Sequence, residues 1–174
     1  MKKLLVTATF ILGALLTSNA QSTTSNPALS EGSWLVEANT NFGRAHASHT
    51  GFSLNTSDDN TVWNIGFEGG YFIIDDLALK VGLGYGDSDN ADGRFSYKAG
   101  AKYYIESQFP VQLDLNGSSG DNFSPLFVGL QGGYAWFVAD NISLEPGVRY
   151  DIDINDDADN FGGLGLNVGF ALHF

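Results

Sequence analysis

The chain has 174 residues, enough for one domain, and a formal net charge of -12. That acidity argues against nucleic acid, which needs a basic surface. The absence of cysteine excludes a disulfide framework and any thiolate metal site. Glycine (22 residues) and phenylalanine (13 residues) are abundant, a pairing common in barrels built on glycine and aromatic motifs.

Residues 1–20 read as a secretory signal peptide. Lys2 and Lys3 give the positive start, residues 4–16 an apolar core, and Ser18-Asn19-Ala20 the small residues ahead of the cleavage point. The apolar run is too short to cross roughly 30 Å of hydrocarbon as a helix. No longer hydrophobic run follows, so any membrane residence has to be built from strands. Without Lys2 and Lys3, six Lys and Arg face 20 Asp and Glu, and the exported chain carries about -14. Residues 21–31 are rich in Ser, Thr and Asn, with Pro27, and are expected to be a flexible lead-in. Residues 32–174 form the domain.

From there on the chain alternates large apolar with small or polar residues. A period of two means strands with one greasy face and one small or wet face. The first strand is expected at 33–42, with Trp34, Val36, Ala38, Thr40 and Phe42 opposite Leu35, Glu37, Asn39 and Asn41. Residues 43–60 are polar and read as a long loop. The second strand, 62–72, sets Trp63, Ile65, Phe67 and Tyr71 against Asn64, Gly66, Glu68 and Gly70. Asp75-Asp76 makes a tight turn. The third strand sets Leu77, Leu79, Val81, Leu83 and Tyr85 against Ala78, Lys80, Gly82, Gly84 and Gly86. Residues 87–93 are an acidic loop.

The fourth strand, 94–105, alternates Phe95, Tyr97, Ala99, Ala101, Tyr103 and Ile105 with Ser96, Lys98, Gly100, Lys102 and Tyr104. After a turn at 106–110, the fifth sets Val111, Leu113 and Leu115 against Gln112, Asp114 and Asn116. Residues 117–125 are a Gly/Ser loop. The sixth strand, 126–138, has Leu126, Val128, Leu130, Tyr134, Trp136 and Val138 on one face. Asp140-Asn141 turns the chain. The seventh sets Ile142, Leu144, Val148, Tyr150 and Ile152 against Ser143, Glu145, Gly147, Arg149, Asp151 and Asp153. Pro146 lacks a ladder donor, so pairing there is expected to weaken. After an acidic loop at 155–160, the eighth strand runs Leu164, Leu166, Val168, Phe170, Leu172, Phe174 against Gly165, Asn167, Gly169, Ala171 and His173.

Eight strands of about ten residues suit a tilted membrane crossing. The connections alternate long and short, as in barrels with short periplasmic turns and longer external loops. Eight strands enclose an interior just wide enough for side chains. The large aromatic set would overpack that space, whereas the Gly- and Ala-rich face suits it. The aromatics also gather towards strand ends, as interfacial girdles do. The expected fold is therefore an eight-stranded antiparallel up-and-down transmembrane β-barrel, lipid outside.

On this pattern the chain from about Ser33 resembles the small eight-stranded bacterial outer-membrane β-barrel domains of the OmpA/OmpX-like type. The turns Y-F-I-I-D-D-L-A-L (71–79) and W-F-V-A-D-N-I-S-L (136–144) are similar to the periplasmic hairpins of that family, and its closing strands end in an aromatic residue as Phe174 does. The resemblance implies residence in the outer membrane of a Gram-negative cell. It also implies contact with outer-membrane lipid and lipopolysaccharide, recognition of the C-terminal strand by the barrel-assembly machinery, and a monomer. It implies no cofactor and no particular reaction.

The polar face places Glu37, Glu68, Lys80, Lys98, Lys102, Asp114, Glu145 and Arg149 in one narrow cylinder. Buried charges of both signs have to pair or hold water. One reading is a network that plugs the lumen; the other is a narrow, porin-like path for small solutes or ions. Asp151-Ile152-Asp153-Ile154-Asn155 begins like a calcium loop, but Asp156 and Gly162 stand where that motif needs Gly and Glu. Asp156, Asp157 and Asp159, like Asp87, Asp89 and Asp92, read as solvated loop charge, with divalent-cation binding as the alternative. His46, Ser48 and His49 bring to mind lipid A-modifying barrels, but no acidic orienter stands beside them. The leading expectation is a non-enzymatic envelope protein acting through acidic external loops.

Overall fold

A computed structural model describes residues 26–43, 51–57, 60–89, 91–120 and 123–174. The expected signal peptide and the His46, Ser48 and His49 group lie outside the described residues.

Ten strand segments form one antiparallel sheet that closes on itself. They are β1 (Trp34–Gly43), β2 (Phe52–Ser57), β3 (Asn60–Ile74), β4 (Leu77–Ser88), β5 (Ala91–Ile105), β6 (Phe109–Ser119), β7 (Leu126–Gly133), β8 (Trp136–Ala139), β9 (Ile142–Asp153) and β10 (Gly163–His173). Closure comes from β1, which pairs β10 from Leu35↔His173 to Gly43↔Gly165 and β3 from Trp34↔Tyr71 to Glu37↔Glu68. Segments β2 and β8 continue the staves begun by β1 and β7, so the barrel has eight staves.

The period of two decides which side chain goes where. On β4, Val81 is 65 % exposed while its neighbour Lys80 is 2 % exposed. The same inversion runs round the cylinder: Phe67, Leu83, Phe95, Leu164 and Leu166 stand outward, and Glu68, Lys98 and Asn167 stand inward. A water-soluble barrel would show the opposite arrangement. An outward apolar band with an inward ionic face is the arrangement of a barrel in lipid. Aromatic pairs mark both rims of that band. Trp34–Tyr71 (5.0 Å) and Phe109–Tyr134 (5.6 Å) lie at the short-turn end. Trp63–Tyr85 (5.7 Å) and Tyr85–Phe95 (4.9 Å) lie at the loop end.

The structure corrects several expectations. Part of the lead-in is ordered: Pro27–Leu29 form a 3-10 turn capped by the Asn26 side chain, and Leu29 is buried. The Leu29 carbonyl accepts from Asp76 N at 2.8 Å, and Glu31 N donates to Asp75 Oδ1 at 2.8 Å. Leu29 packs with Leu35, Phe72, Ala78, Tyr104, Ala135 and Ala171 in an apolar cluster inside the short-turn mouth. Burial of one leucine outweighs the loop-forming bias of the Ser/Thr/Asn run.

The long loop after β1 is also partly a strand. β1 leaves β3 after Glu37, and β2 takes over beside β3 from Phe52↔Ile65 to Ser57↔Asn60. Residues 87–93 are not a long loop, because β4 and β5 keep pairing up to Ser88↔Ala91. The expected sixth stave breaks at Tyr134-Ala135, opposite Pro146, and resumes in the same register from Trp136↔Leu144. Tyr134 N still donates to the Pro146 carbonyl at 3.0 Å. Only the return bond, which proline lacks, is missing.

Candidate functional site

The inward residues sort into three zones along the barrel axis. At the short-turn end lies the apolar cluster. In the middle lies an ionic lattice. Towards the loops the inner wall carries Gly66, Gly84, Gly86, Gly165, Ser96, Ser118 and Asn64, together with the buried ring of Phe127 opposite Asn116.

The structure places all eight of the expected lumen residues inside, each 3 % exposed or less. Contacts across the lumen, mostly between staves that are not ladder neighbours, bring them together. Lys102 on β5 bridges Glu37 on β1 (2.7 Å) and Glu145 on β9. Lys80 on β4 reaches Glu37 at 2.7 Å and Glu68 at 2.8 Å. Lys98 donates to Glu68 Oε1 at 2.6 Å. On the far wall, Arg149 donates to both oxygens of Asp114, through Nη1 at 2.8 Å and Nη2 at 2.7 Å. A guanidinium fork fits a carboxylate in that two-bond geometry.

Five residues that complete the lattice were placed on the polar face but not singled out as site residues. Asp151 gives Arg149 a second carboxylate, with Nη2 at 2.8 Å from Oδ1. Gln112 joins the two halves: its Oε1 accepts from Lys80 at 2.8 Å and its Nε2 donates to Asp114 at 2.6 Å. Asn39 donates to both Glu37 (2.7 Å) and Glu68 (3.0 Å). Asn116 donates to Asp114 (2.9 Å) and Asp151 (3.1 Å). Asn167 donates to Asn39 Oδ1 at 3.1 Å. Their alternation parity was the signal that could have found them.

Among the described residues the buried lattice holds five carboxylates (Glu37, Glu68, Asp114, Glu145, Asp151) and four cations (Lys80, Lys98, Lys102, Arg149). Charge is almost balanced. Each ion meets an opposite charge, which is the condition for tolerating ions in a low-dielectric interior. Below it, Ser143 Oγ and Tyr104 OH both donate to Glu145 Oε1, each at 2.9 Å. Ser143 Oγ also lies 3.1 Å from His173 Nε2. His173 is 1 % exposed and has the aromatic rings of Phe72, Tyr104 and Phe137 around it. It stands as a packing element in the closed mouth.

The acidic loop residues do structural work. Asp153 accepts from Gly162 N (2.7 Å) and Asn160 N (3.2 Å), and Asp157 accepts from Ser124 N (2.9 Å). Asn155 accepts from Leu126 N at 2.9 Å and donates to the Ser124 carbonyl at 2.9 Å. The segment that begins like a calcium loop thus braces one loop against its neighbour, while Asp151 points into the lattice. The same use of a carboxylate as a backbone acceptor recurs where Thr61 N donates to Asp89 at 2.8 Å.

No protein-family model matches the chain, and no curated protein matches it by sequence. Solved structures do match in fold. The N-terminal β-barrel domain of Pseudomonas aeruginosa OprF aligns with a TM-score of 0.51 at 13 % identity, over 83 % of this chain and 98 % of that one. Neisserial surface protein A aligns with a TM-score of 0.51 at 20 % identity, over 83 % of this chain and all of its own length (100 %). Taken with the inverted faces and the closed ring of staves, these likenesses give the chain the fold of the eight-stranded outer-membrane β-barrels.

Proposed function

We propose that this protein is a resident of the bacterial outer membrane that works as a closed, non-enzymatic barrel, lending structure to the envelope and presenting acidic loops to the outside. One observation carries this reading: the lumen is blocked twice, by the lattice linking Glu37, Glu68, Lys80, Lys102, Asp114 and Arg149, and by the apolar cluster around Leu29 and Phe72. A conducting pore of this width needs a continuous wet path, and paired ions bridging opposite walls deny it. Charge is also segregated. Of the six Lys and Arg beyond residue 20, Lys80, Lys98, Lys102 and Arg149 are buried in the lumen. Asp89, Asp153, Asp156, Asp157 and Asp159 are exposed near the loops. The outward field there is negative, which suits a cationic partner or a divalent-bridged lipid phosphate.

The test is conductance of the refolded protein in planar bilayers, alongside fractionation of cells that express it. The closed-barrel reading expects no unitary conductance from the protein, and none from Lys102→Met alone, because the apolar cluster still closes the short-turn mouth. Stable pores in the unsubstituted protein would establish the small-solute channel instead. Recovery in the soluble periplasmic fraction would remove the membrane reading.

A further inference from the structure

The segment that closes the short-turn mouth is fastened differently from the staves around it. The staves are joined to their neighbours by continuous ladders. Residues 26–31 are fastened from one side. Asp76 N donates to the Leu29 carbonyl at 2.8 Å, and Glu31 N donates to Asp75 Oδ1 at 2.8 Å. Both anchors belong to a single turn, the one between β3 and β4. Leu29 adds the apolar contact with the cluster below, and the His173 ring lies beneath the segment, towards the Ala28 carbonyl. On the other side nothing binds it. Asn26 and Pro27 face Phe137, Val138, Ala139 and Asp140 across an open groove of about 560 Å³.

Within itself the segment is stiff. The Asn26 side chain accepts from Ala28 N at 3.1 Å, and Leu29 N donates to the Asn26 carbonyl at 2.8 Å. Pro27 fixes the backbone at the start of the 3-10 turn. The joint with β1 is of another kind. Ser33 N donates to the Ser30 carbonyl at 3.1 Å, closing a turn whose third residue is Gly32 at φ 90°. A type II turn takes positive φ at that position, and glycine adopts it without strain. A Cβ at Gly32 would meet nothing within 4 Å. The position therefore asks for glycine through its backbone conformation and not through lack of space. Gly32 N is bonded to the Phe72 carbonyl at 2.9 Å, so the barrel proper holds the chain from this residue on. A stiff segment, a glycine joint, fastening on one side and room on the other are the parts of a hinge.

We propose that residues 26–31 are a strap that opens about Gly32 while the barrel stays folded, with Leu29 as its latch. Opening withdraws Leu29 from the cluster that includes Phe72, Tyr104 and Ala135, and water then reaches Tyr104 and His173 from the short-turn side. No pore forms, because the ionic lattice above is untouched. The strap thus sets whether the apolar mouth is sealed or offered on that side. This device needs only the barrel and the bonds around its mouth, and stands whether or not the loops bind a partner.

The test is native-state hydrogen exchange on the full exported chain folded in detergent micelles, followed by NMR at rising urea. Asp76 N is the reporter, since its acceptor is the Leu29 carbonyl. Val128, paired on both sides, is the control. Asp76 is expected to exchange at least about tenfold faster than Val128 and almost independently of urea, as local opening does. Gly32→Ala puts a side chain where positive φ is strained, and is expected to quicken exchange at Asp76 about 5- to 30-fold and leave Val128 unchanged. Because the chain has no cysteine, Ala135→Cys gives a second reading. Ala135 is 1 % exposed, and the thiol is expected to react with a polar reagent at a rate that rises when Gly32→Ala is added. A mobility shift on boiling, run on each sample, shows that the barrel is folded, and failure of the membrane reading would show in cell fractionation and not here. Asp76 and Val128 exchanging at one rate with one urea dependence would mean that the lead-in opens only with the barrel, and would overturn the proposal. Exchange at Asp76 unchanged in Gly32→Ala would overturn Gly32 as the hinge.

Discussion

The guanidinium of Arg149 occupies the space that a Cβ at Gly129 would need. The two residues sit on neighbouring staves, β9 and β7, and Gly129 leaves the gap through which the Arg149 fork reaches Asp114. Gly129→Ala should therefore act as a lattice mutation although it adds one methyl. Overpacking of this kind typically costs about 1–3 kcal/mol, and displacing the fork from Asp114 adds to it. Gly132 is the matched control: nothing lies within 4 Å of a Cβ built there. Gly132→Ala should change stability by less than about 0.5 kcal/mol, the usual range for a surface change. Urea unfolding of both variants in lipid vesicles, followed by tryptophan fluorescence, measures the difference. Equal effects would show that Arg149 moves aside freely.

The lysines should not be equivalent. Lys102 is the ion held between Glu37 and Glu145. Removing its charge leaves Glu145 without a cation among the described residues and Glu37 with Lys80 alone. Lys98 pairs with Glu68, which keeps Lys80 as a partner when Lys98 is lost. Breaking a buried pair so that a charge is orphaned costs about 3–5 kcal/mol. Lys102→Met should approach that figure and Lys98→Met should fall well below it. Unfolding midpoints at constant lipid composition decide this, and the reverse order would mean that Glu145 finds another partner.

Leu29 fixes the apolar plug to the short-turn mouth. It is 1 % exposed and its carbonyl is held by Asp76 N at 2.8 Å. Leu29→Ala should cost about 2–4 kcal/mol as a large-to-small change at a buried site. The loss should be local, because the plug lies at one end and the ladders above it are untouched. Hydrogen exchange should quicken at Gly32, Phe72 and Asp76, whose amides form the bonds around the plug, and stay slow at Val128 and Val148. Uniform acceleration through the barrel would show that the plug and the staves unfold as one unit.

Much of this architecture was legible because one rule governs it. In a barrel every second residue faces in, so the parity that put Leu83 outward also put Lys80 and Gly82 inward. Parity located the lattice members. It could not say which of them meet, because partnership depends on stagger between staves. Lys102 meets Glu145 on a stave that is not its ladder neighbour, and no pattern along one strand contains that. The lead-in was misjudged for a different reason. Its composition is that of a loop, and a single leucine reaching an apolar mouth overrides composition. The first loop was misjudged because β2 is short and polar, and its pairing with β3 is what makes it a strand. Pro146 went the other way: a missing donor has one consequence, and the break fell opposite it.

Asp76 supplies the pH test at the short-turn end. It lies in the turn between β3 and β4, outside the membrane-spanning segments, with φ of 64°. Burial pushes its carboxyl up from the ordinary 3.8, with the nearby Asp75 adding to the rise and the hydrogen bond from Ser107 Oγ, at 2.8 Å, opposing it. A carboxyl with a raised pKa binds its proton more tightly in the folded state than in the unfolded one. Between the unfolded value near 3.8 and the higher folded value, the folded protein carries more protons, so stability falls as pH rises through that window. Asp76→Asn removes the titration and keeps a residue that tolerates positive φ. The variant should flatten the stability–pH curve above pH 3.8 and gain relative to the parent as pH rises towards neutrality. Unfolding midpoints taken at half-unit pH steps would show this. A parent and variant with parallel curves would mean that the Ser107 bond, not burial, sets the behaviour of Asp76.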